Sequence, residues 1–100
     1  MATTSKALVR AAAATSTATL YTVPASTTTV VTNIVVTNTN GSAATFTLTL
    51  DGVDIFTTTA IASNSTAMFD LKQVLATTKI IAGFASATTV KFHISGVEIV

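Results

Sequence analysis

One histidine and four carboxylates are the side chains of this sequence that could take part in acid–base catalysis. His93 alternates with the apolar residues Phe92 and Ile94, so it is predicted to point away from the core of a strand. Glu98 is five positions later and falls on the opposite face, unless a bulge at Gly96 shifts the alternation. General acid–base catalysis needs a second polar group within hydrogen-bond reach of the imidazole. We therefore interpret His93 as an exposed or interface residue and expect no enzyme activity.

Two of the carboxylates, Asp51 and Asp54, flank a turn and could be read as part of a cation site. Calcium loops supply more oxygen ligands than two carboxylates, at a defined spacing. Asp51-Gly52 is also a favoured pair of residues for a tight hairpin turn, which explains it without a metal. These 100 residues contain no cysteine, so they offer no thiolate ligand and no disulfide. The sequence thus predicts no metal, no cofactor and no catalytic residue.

The strands that would position any site are predicted from the distribution of threonine, which accounts for 23 of the 100 residues. Threonine alternates with apolar residues, most clearly in the run 44–50. A period of two places Phe46, Leu48 and Leu50 on one face of a strand and threonines on the other. A β-branched threonine suits a pleated surface in contact with water. This composition predicts one small all-β domain, because a chain of this length is enough for a single core.

Turn residues divide the chain into roughly seven or eight short strands, a spacing typical of a small antiparallel β-sandwich of jelly-roll or immunoglobulin-like type. Asn40-Gly41 is the strongest hairpin signal, and the segments 79–85 and 88–94 are predicted to form another hairpin. Asp70 as a helix cap, with Gln73 three residues later, predicts one short helical turn that continues through Leu75.

Residues 1–16 are mostly Ala, Thr and Ser with two cations, and they lack strand alternation. We predict an N-terminal arm over 1–16, extended or with a short helical turn over 7–14, and a β-sandwich domain over 17–100. Such an arm would be disordered alone and would become ordered on its own domain or on a neighbouring subunit. The candidate partner-binding residues lie in this arm: Ala2, Thr3, Thr4, Lys6, Leu8, Val9 and Arg10.

The charge pattern argues against two classes of partner. Five basic residues are scattered along a chain of net charge +1, whereas nucleic-acid binding uses clustered cations with stacking aromatic residues. Apolar runs are shorter than the about 18 residues of a membrane-spanning helix. Arg10 interrupts the N-terminal apolar run, which makes it a poor signal peptide. We therefore expect neither nucleic-acid nor membrane binding.

Low charge also bears on assembly, because charged residues are 9% of this chain and about 25% of a typical domain. The predicted strands have few of the Lys and Pro residues that usually block edge-to-edge pairing. A subunit whose edges and flanks are covered by neighbours does not need that protection. We therefore predict a homo-oligomer or a component of a larger assembly. The alternative is a soluble monomer hydrated by its hydroxyl groups.

The stretch Leu20–Ala25 (LYTVPA), followed by residues 28–38 (TTVVTNIVVTN), resembles small structural proteins encoded among the head and tail genes of tailed bacteriophages. The resemblance covers residues 17–100. The later parts that match the same pattern are Asp70-Leu71, Val74-Leu75 and Ser95-Gly96-Val97-Glu98. This chain departs from the pattern at Thr77-Thr78-Lys79, where similar sequences often have Gly-Asp.

This resemblance implies a β-sandwich protein of the virion, assembled in the host cytoplasm. The leading interpretation is a capsid decoration or cement protein that binds across major capsid protein subunits, with a trimer as one arrangement. Copies that bind only the mature shell would stabilise it by mass action. One alternative is a tail protein or baseplate component with an adhesin-like module. Another is a secreted carbohydrate-binding or immunoglobulin-like adhesion domain, which would have a signal peptide and be a monomer.

Overall fold

The computed structural model describes residues 2–100, which form eight β-strands and no helix. Two four-stranded antiparallel sheets pack as a β-sandwich: sheet A has the order β1-β8-β3-β6 and sheet B has the order β2-β7-β4-β5. The strands in chain order are β1 Thr3–Ala12, β2 Ala18–Thr22, β3 Thr28–Asn38, β4 Ala44–Leu50, β5 Val53–Ile61, β6 Ser65–Leu75, β7 Ile80–Ala85 and β8 Val90–Ile99. The predicted all-β sandwich is confirmed. Within this part of the chain no helix is long and apolar enough to cross a membrane.

The strands pair by one rule: β1 with β8, β2 with β7, β3 with β6 and β4 with β5. The chain therefore has the connectivity of one long hairpin that is rolled up into two sheets. Two further pairings, β3 with β8 and β4 with β7, complete the sheets. The turn between β4 and β5 is formed by Asp51 and Gly52, both with positive φ (56° and 75°). This is the primed hairpin geometry that an Asp-Gly pair predicts.

The core lies between the sheets and follows the predicted alternation of β4. Phe46 and Leu48 are 1% and 0% exposed, while Thr45 and Thr49 on the other face stay partly exposed. The Phe46 ring packs edge-on against Phe92 of sheet A, with 6.2 Å between ring centroids. Such aromatic pairs add about 0.5–1.5 kcal/mol beyond the area they bury. A second aromatic contact, between Phe56 of sheet B and Phe69 of sheet A (4.4 Å between ring centroids), also joins the two layers.

The short helical turn predicted from Asp70 is wrong, because residues 70–75 are the second half of β6. Asp70 pairs with Asn33 and Gln73 with Val31 in the ladder with β3. Leu75 is buried, so the strand also contributes to the core. A capping residue contributes about 1 kcal/mol to a helix. The hydrogen-bonded ladder with the central strand β3 and the burial of Leu75 together outweigh this local preference for a helix.

Two predicted hairpins are also wrong, although their turns are placed correctly. Asn40-Gly41 connects β3 in sheet A to β4 in sheet B, and residues 86–89 connect β7 in sheet B to β8 in sheet A. Each connection crosses from one sheet to the other, so the strands it joins do not pair. A turn signal marks the end of a strand but does not say which sheet the next strand enters.

The segment predicted as a separate N-terminal arm is part of the sandwich. It forms β1, an edge strand of sheet A that pairs with β8 along its whole length. Ala2 and Val100 extend this ladder by exchanging two backbone hydrogen bonds of 3.2 and 2.9 Å. The predicted boundary at residue 17 therefore does not separate an arm from the sandwich, which begins at Thr3.

A buried asparagine organises the end of the sandwich where β3 finishes, here called the Asn38 end. Asn38 is 0% exposed. Its side-chain nitrogen donates to three backbone carbonyl oxygens, those of Ser42, Ile61 and Ala62 (2.9, 3.5 and 3.3 Å). Its Oδ1 accepts from the backbone N–H of Asn40 (3.1 Å) and the hydroxyl of Thr89 (3.2 Å). One side chain thus ties together the β3–β4, β5–β6 and β7–β8 connections.

Candidate interaction surface

The predicted partner-binding residues lie on or beside β1, and the structure divides them into two groups. Leu8 and Val9 are buried (8% and 5% exposed), so they belong to the core and the prediction that they bind a partner is corrected. A β-bulge between Ala7 and Val9 gives β1 one more residue than β8, which turns two successive side chains inward. The bulge also interrupts the alternation of inward and outward residues, so the sequence of β1 lacks the pattern that is typical of a strand. The remaining predicted residues are exposed: Ala2, Thr3, Thr4, Lys6 and Arg10.

β1 is held in place by a close approach at Gly96. A Cβ atom at Gly96 would meet the backbone oxygen of Val30 and would lie 2.9 Å from the Leu8 Cδ1 atom. The missing side chain therefore makes the space that Leu8 fills. The bulge suggested at Gly96 is not in β8 itself, which runs unbroken from Val90 to Ile99. The extra residues are in its two neighbouring strands, Leu8 in β1 and Thr32 in β3.

The outer face of sheet A carries a shallow, open depression of about 340 Å³ beside this bulge. It is lined by small residues together with Val97 and the two cations Lys6 and Arg10. The depression is therefore suited to contact with a neighbouring polypeptide more than to enclosing a small molecule, which needs a deeper apolar pocket.

Three basic side chains lie on the outer face of sheet A, and one of them, Arg10, lines this depression. Arg10 pairs directly with His93 across the β1–β8 ladder, and Lys91 is opposite Ala12. Among the described residues neither Arg10 nor Lys91 forms an ion pair. This part of sheet A, defined here by Arg10, Lys91 and His93 and called the β1 surface, is therefore weakly cationic and fits a polar or acidic partner surface.

A second polar cluster closes the opposite end of the sandwich, here called the Tyr21 end. The Tyr21 hydroxyl donates a hydrogen bond to Glu98 Oε2 and lies 2.9 Å from the Thr29 hydroxyl. The Lys6 Nζ atom is 3.4 Å from both carboxylate oxygens of Glu98. The Glu98 side chain is 13% exposed and Lys6 is 48% exposed. Since Tyr21 belongs to sheet B and the others to sheet A, the cluster links the two sheets.

The protonation of Tyr21 follows from its surroundings. Burial raises the pKa of the Tyr21 phenol above its ordinary value near 10, and the hydrogen bond to Glu98 raises it further. The hydrogen bond with Thr29 acts in the opposite direction. The phenol is therefore a hydrogen-bond donor at neutral pH, and the cluster has the character of a structural cross-link.

The other residues with catalytic potential are dispersed. His93 is exposed and Glu98 lies on the opposite face of β8, as the strand alternation predicts. Asp51 forms an ion pair with Lys79 at 3.6 Å, and Asp54 accepts a hydrogen bond of 2.8 Å from Thr57. Within residues 2–100 no three His, Cys, Asp or Glu side chains are grouped so that they could hold a metal ion.

Neither polar cluster was predicted from the sequence, although the position of Glu98 in its strand indicates part of the cluster at the Tyr21 end. Glu98 has the same parity along β8 as Phe92 and Ile94, so the alternation that placed those residues inward also placed the carboxylate inward. Its partner Tyr21 is 77 positions away in the chain, and nothing local indicates that contact.

Comparison with known proteins yields no relative from which a role could be transferred. No protein-family model matches the chain, and no curated protein matches it. The exposed β1 surface, the open strand edges and the two structural clusters are therefore the features that bear on its function.

Proposed function

We propose that this chain is a structural protein of a bacteriophage particle and acts as a decoration subunit that binds across major capsid protein subunits. The proposal is supported by the resemblance of its LYTVPA segment and its C-terminal strand to head and tail proteins of tailed phages. It is also supported by the jelly-roll order of strand pairing and by the low charge of the surface. The activity would be binding and stabilisation, with no catalysis.

The connectivity favours a jelly roll over an immunoglobulin-like sandwich. A jelly roll has eight strands in two sheets, and viral capsid proteins are among its members. Immunoglobulin-like domains place four strands in one sheet and three in the other in their constant type. Here each strand of the first half pairs with its counterpart in the second half.

The observation that carries the proposal is the nearly charge-free exterior combined with open sheet edges. Charged side chains are 9% of the chain, and β1 and β6 leave one edge of sheet A open on each side. Charges cost the most free energy to remove from water, so a hydroxyl-rich exterior is suited to being covered by other subunits.

The β1 surface is the face proposed to contact the capsid. Of the residues predicted from sequence to bind a partner, it contains Arg10. His93 was predicted to be an exposed or interface residue, and the half-buried Lys91 was not predicted. A partner that carries carboxylates at this position would gain electrostatic complementarity, which chiefly increases the association rate and the specificity. If the subunit binds the mature shell alone, each bound copy shifts the equilibrium toward that shell.

The test is the location of the chain on intact particles. Gold-labelled antibody against the chain should decorate the head, and mass spectrometry should find the chain in purified particles. Arg10→Glu should lower its occupancy on the head, while Lys79→Glu, a matched reversal of an exposed cation at the Tyr21 end, should not. Equal occupancy of both variants would contradict the use of the β1 surface.

The alternatives give different results in the same experiment. Label confined to the tail would replace the decoration role with a tail or baseplate component. A chain that is absent from particles would overturn both virion roles. A carbohydrate-binding role has little support, since none of the six aromatic side chains is fully exposed within residues 2–100 and sugar contact usually uses exposed rings.

A further inference from the structure

The outer edge of β6 has the properties of an interface. β6 is the last strand of sheet A, and it has β3 as its one neighbour. Residues 66–74 form no backbone hydrogen bond outside the ladder with β3 within the described part of the chain. Two of the four large apolar side chains that are most exposed lie here: Met68 is 75% and Val74 is 68% exposed.

The exposed side chains of β6 form a row with an internal symmetry. Met68, Asp70, Lys72 and Val74 are all exposed, as is Gln73 between the last two. β6 has one register shift against β3, between Asp70 and Gln73. Leu71 is the centre of this row. Asp70 and Lys72 lie one position to either side of it and carry opposite charges, and the apolar Met68 and Val74 lie three positions to either side. An antiparallel partner with the same sequence would therefore place unlike charges and apolar residues opposite each other.

We propose that β6 is a homodimer edge, on which two copies of this chain pair antiparallel about a two-fold axis at Leu71. Asp70 of each copy then faces Lys72 of the other, and Met68 faces Val74 of the other. The contact is isologous, so each favourable pair occurs twice. Sheet A becomes one continuous eight-stranded sheet across the dimer. This inference does not depend on whether the chain is part of a virion.

The side chains specify one register. A slip of one residue would place outward side chains opposite inward ones, which the pleat disfavours. A slip of two residues in one direction would place Asp70 opposite Asp70 of the second copy, and in the other direction Lys72 opposite Lys72. Like charges directly opposite one another are destabilising. The register centred on Leu71 is therefore the one that pairs unlike charges.

The other three sheet edges are less suited to self-pairing. The charged residues of β1, Lys6 and Arg10, are both basic, so an antiparallel β1 pair brings cations together without a carboxylate from that strand. β2 has five residues, so it offers a shorter edge for pairing than the eleven residues of β6. β5 has two register shifts, against one in β6, and a left-handed residue, Thr58 (φ 43°), which interrupts its edge. Charge complementarity with a second copy is therefore specific to β6.

Sedimentation of the full chain over a range of concentrations tests the proposal. The wild type should be a dimer in equilibrium with monomer. Asp70→Lys should weaken the dimer about ten-fold or more, because two attractive pairs become repulsive. The double variant Asp70→Lys with Lys72→Asp restores unlike pairs and should restore the wild-type dissociation constant. Asp54→Lys, the same charge reversal on β5 of the other sheet, should leave the dissociation constant unchanged, and circular dichroism of each variant checks that it is folded.

Disulfide trapping tests the register independently, because the chain contains no cysteine. Opposite residues of an antiparallel pair have Cα atoms about 4.5–5.5 Å apart, within the range that a disulfide spans. The double variant Met68→Cys with Val74→Cys should give a covalent dimer on oxidation, while either single variant should not. A monomer or a trimer in sedimentation, a dimer that is insensitive to Asp70→Lys, or equal cross-linking of the single variants would overturn the proposal.

Discussion

The two ends of the sandwich are closed by polar clusters of opposite kinds. At the Asn38 end one neutral side chain, completely buried, satisfies polar groups from three connections. At the Tyr21 end an ionisable carboxylate near the rim receives a phenol and an ammonium group from two other strands. The first cluster positions loops, and the second fastens β1 and sheet B to the C-terminal strand.

The difference shows how burial decides which polar group can be used. A fully buried charge is costly unless every partner is in place, whereas a neutral amide needs hydrogen bonds alone. The Glu98 carboxylate keeps some contact with water and has Lys6 beside it. We therefore expect the Asn38 end to contribute stability that does not depend on pH, and the Tyr21 end to contribute stability that does.

The largest effect is expected from Asn38→Ala. It would leave three backbone carbonyl oxygens, one of them buried, one N–H and one hydroxyl without their partner, so the free energy of unfolding should fall by about 3 kcal/mol. Urea denaturation measures this loss. The matched control is Asn33→Ala in the same strand, on the outer face, which should cost less than about 1 kcal/mol. Equal losses would show that the hydrogen bonds of Asn38 are not what stabilises this end.

A somewhat smaller loss is expected from Gly96→Ala, which tests how firmly β1 is held. The added methyl group would meet the Val30 backbone oxygen and the Leu8 side chain, with an expected cost of about 2 kcal/mol. Gly41→Ala is the control, since a Cβ atom there has open space around it. Hydrogen exchange should show faster opening of β1 than of β4 in Gly96→Ala. Unchanged protection of β1 would contradict the proposed close fit.

A change in pH should separate the two ends. Since the pKa of Tyr21 is raised in the folded state, its contribution to stability is complete below the ordinary value near 10 and is lost as the pH rises through the folded pKa. The wild type should therefore lose more stability than Tyr21→Phe over this alkaline range. Tyr21 is the single tyrosine and the chain has no tryptophan, so near-ultraviolet absorbance follows its ionisation directly. A midpoint at or below the ordinary value would refute this account.

The smallest effect is expected from Lys6→Ala. The ammonium group of Lys6 is 3.4 Å from Glu98 but about half exposed, and such surface pairs contribute about 0–1 kcal/mol. The loss should shrink further as salt is added, because salt screens exposed charges. Thermal unfolding at low and high salt measures both quantities. A large loss that does not change with salt would mean that Lys6 supports the packing of β1 through its aliphatic stem.

Particular residues show where sequence reasoning succeeded and where it failed. The threonine alternation of β4 predicted its buried face correctly, and Asp51-Gly52 predicted a true hairpin. Asp70 and Gln73 suggested a helix, since the capping pattern is local and pairing with β3 is not. Leu8 and Val9 were assigned to a partner because the bulge in β1 breaks the period of two on which the assignment of faces relies.

The amino-acid sequence by itself determined an all-β sandwich of roughly seven or eight strands, because a side-chain period of two and the chemistry of turn residues act over a few neighbouring positions. Only the tertiary structure decided which strands pair, that the first segment is a strand, and that Tyr21 meets Glu98. Those features join residues far apart in the chain. They depend on which long-range arrangement buries the most apolar surface while satisfying every buried polar group.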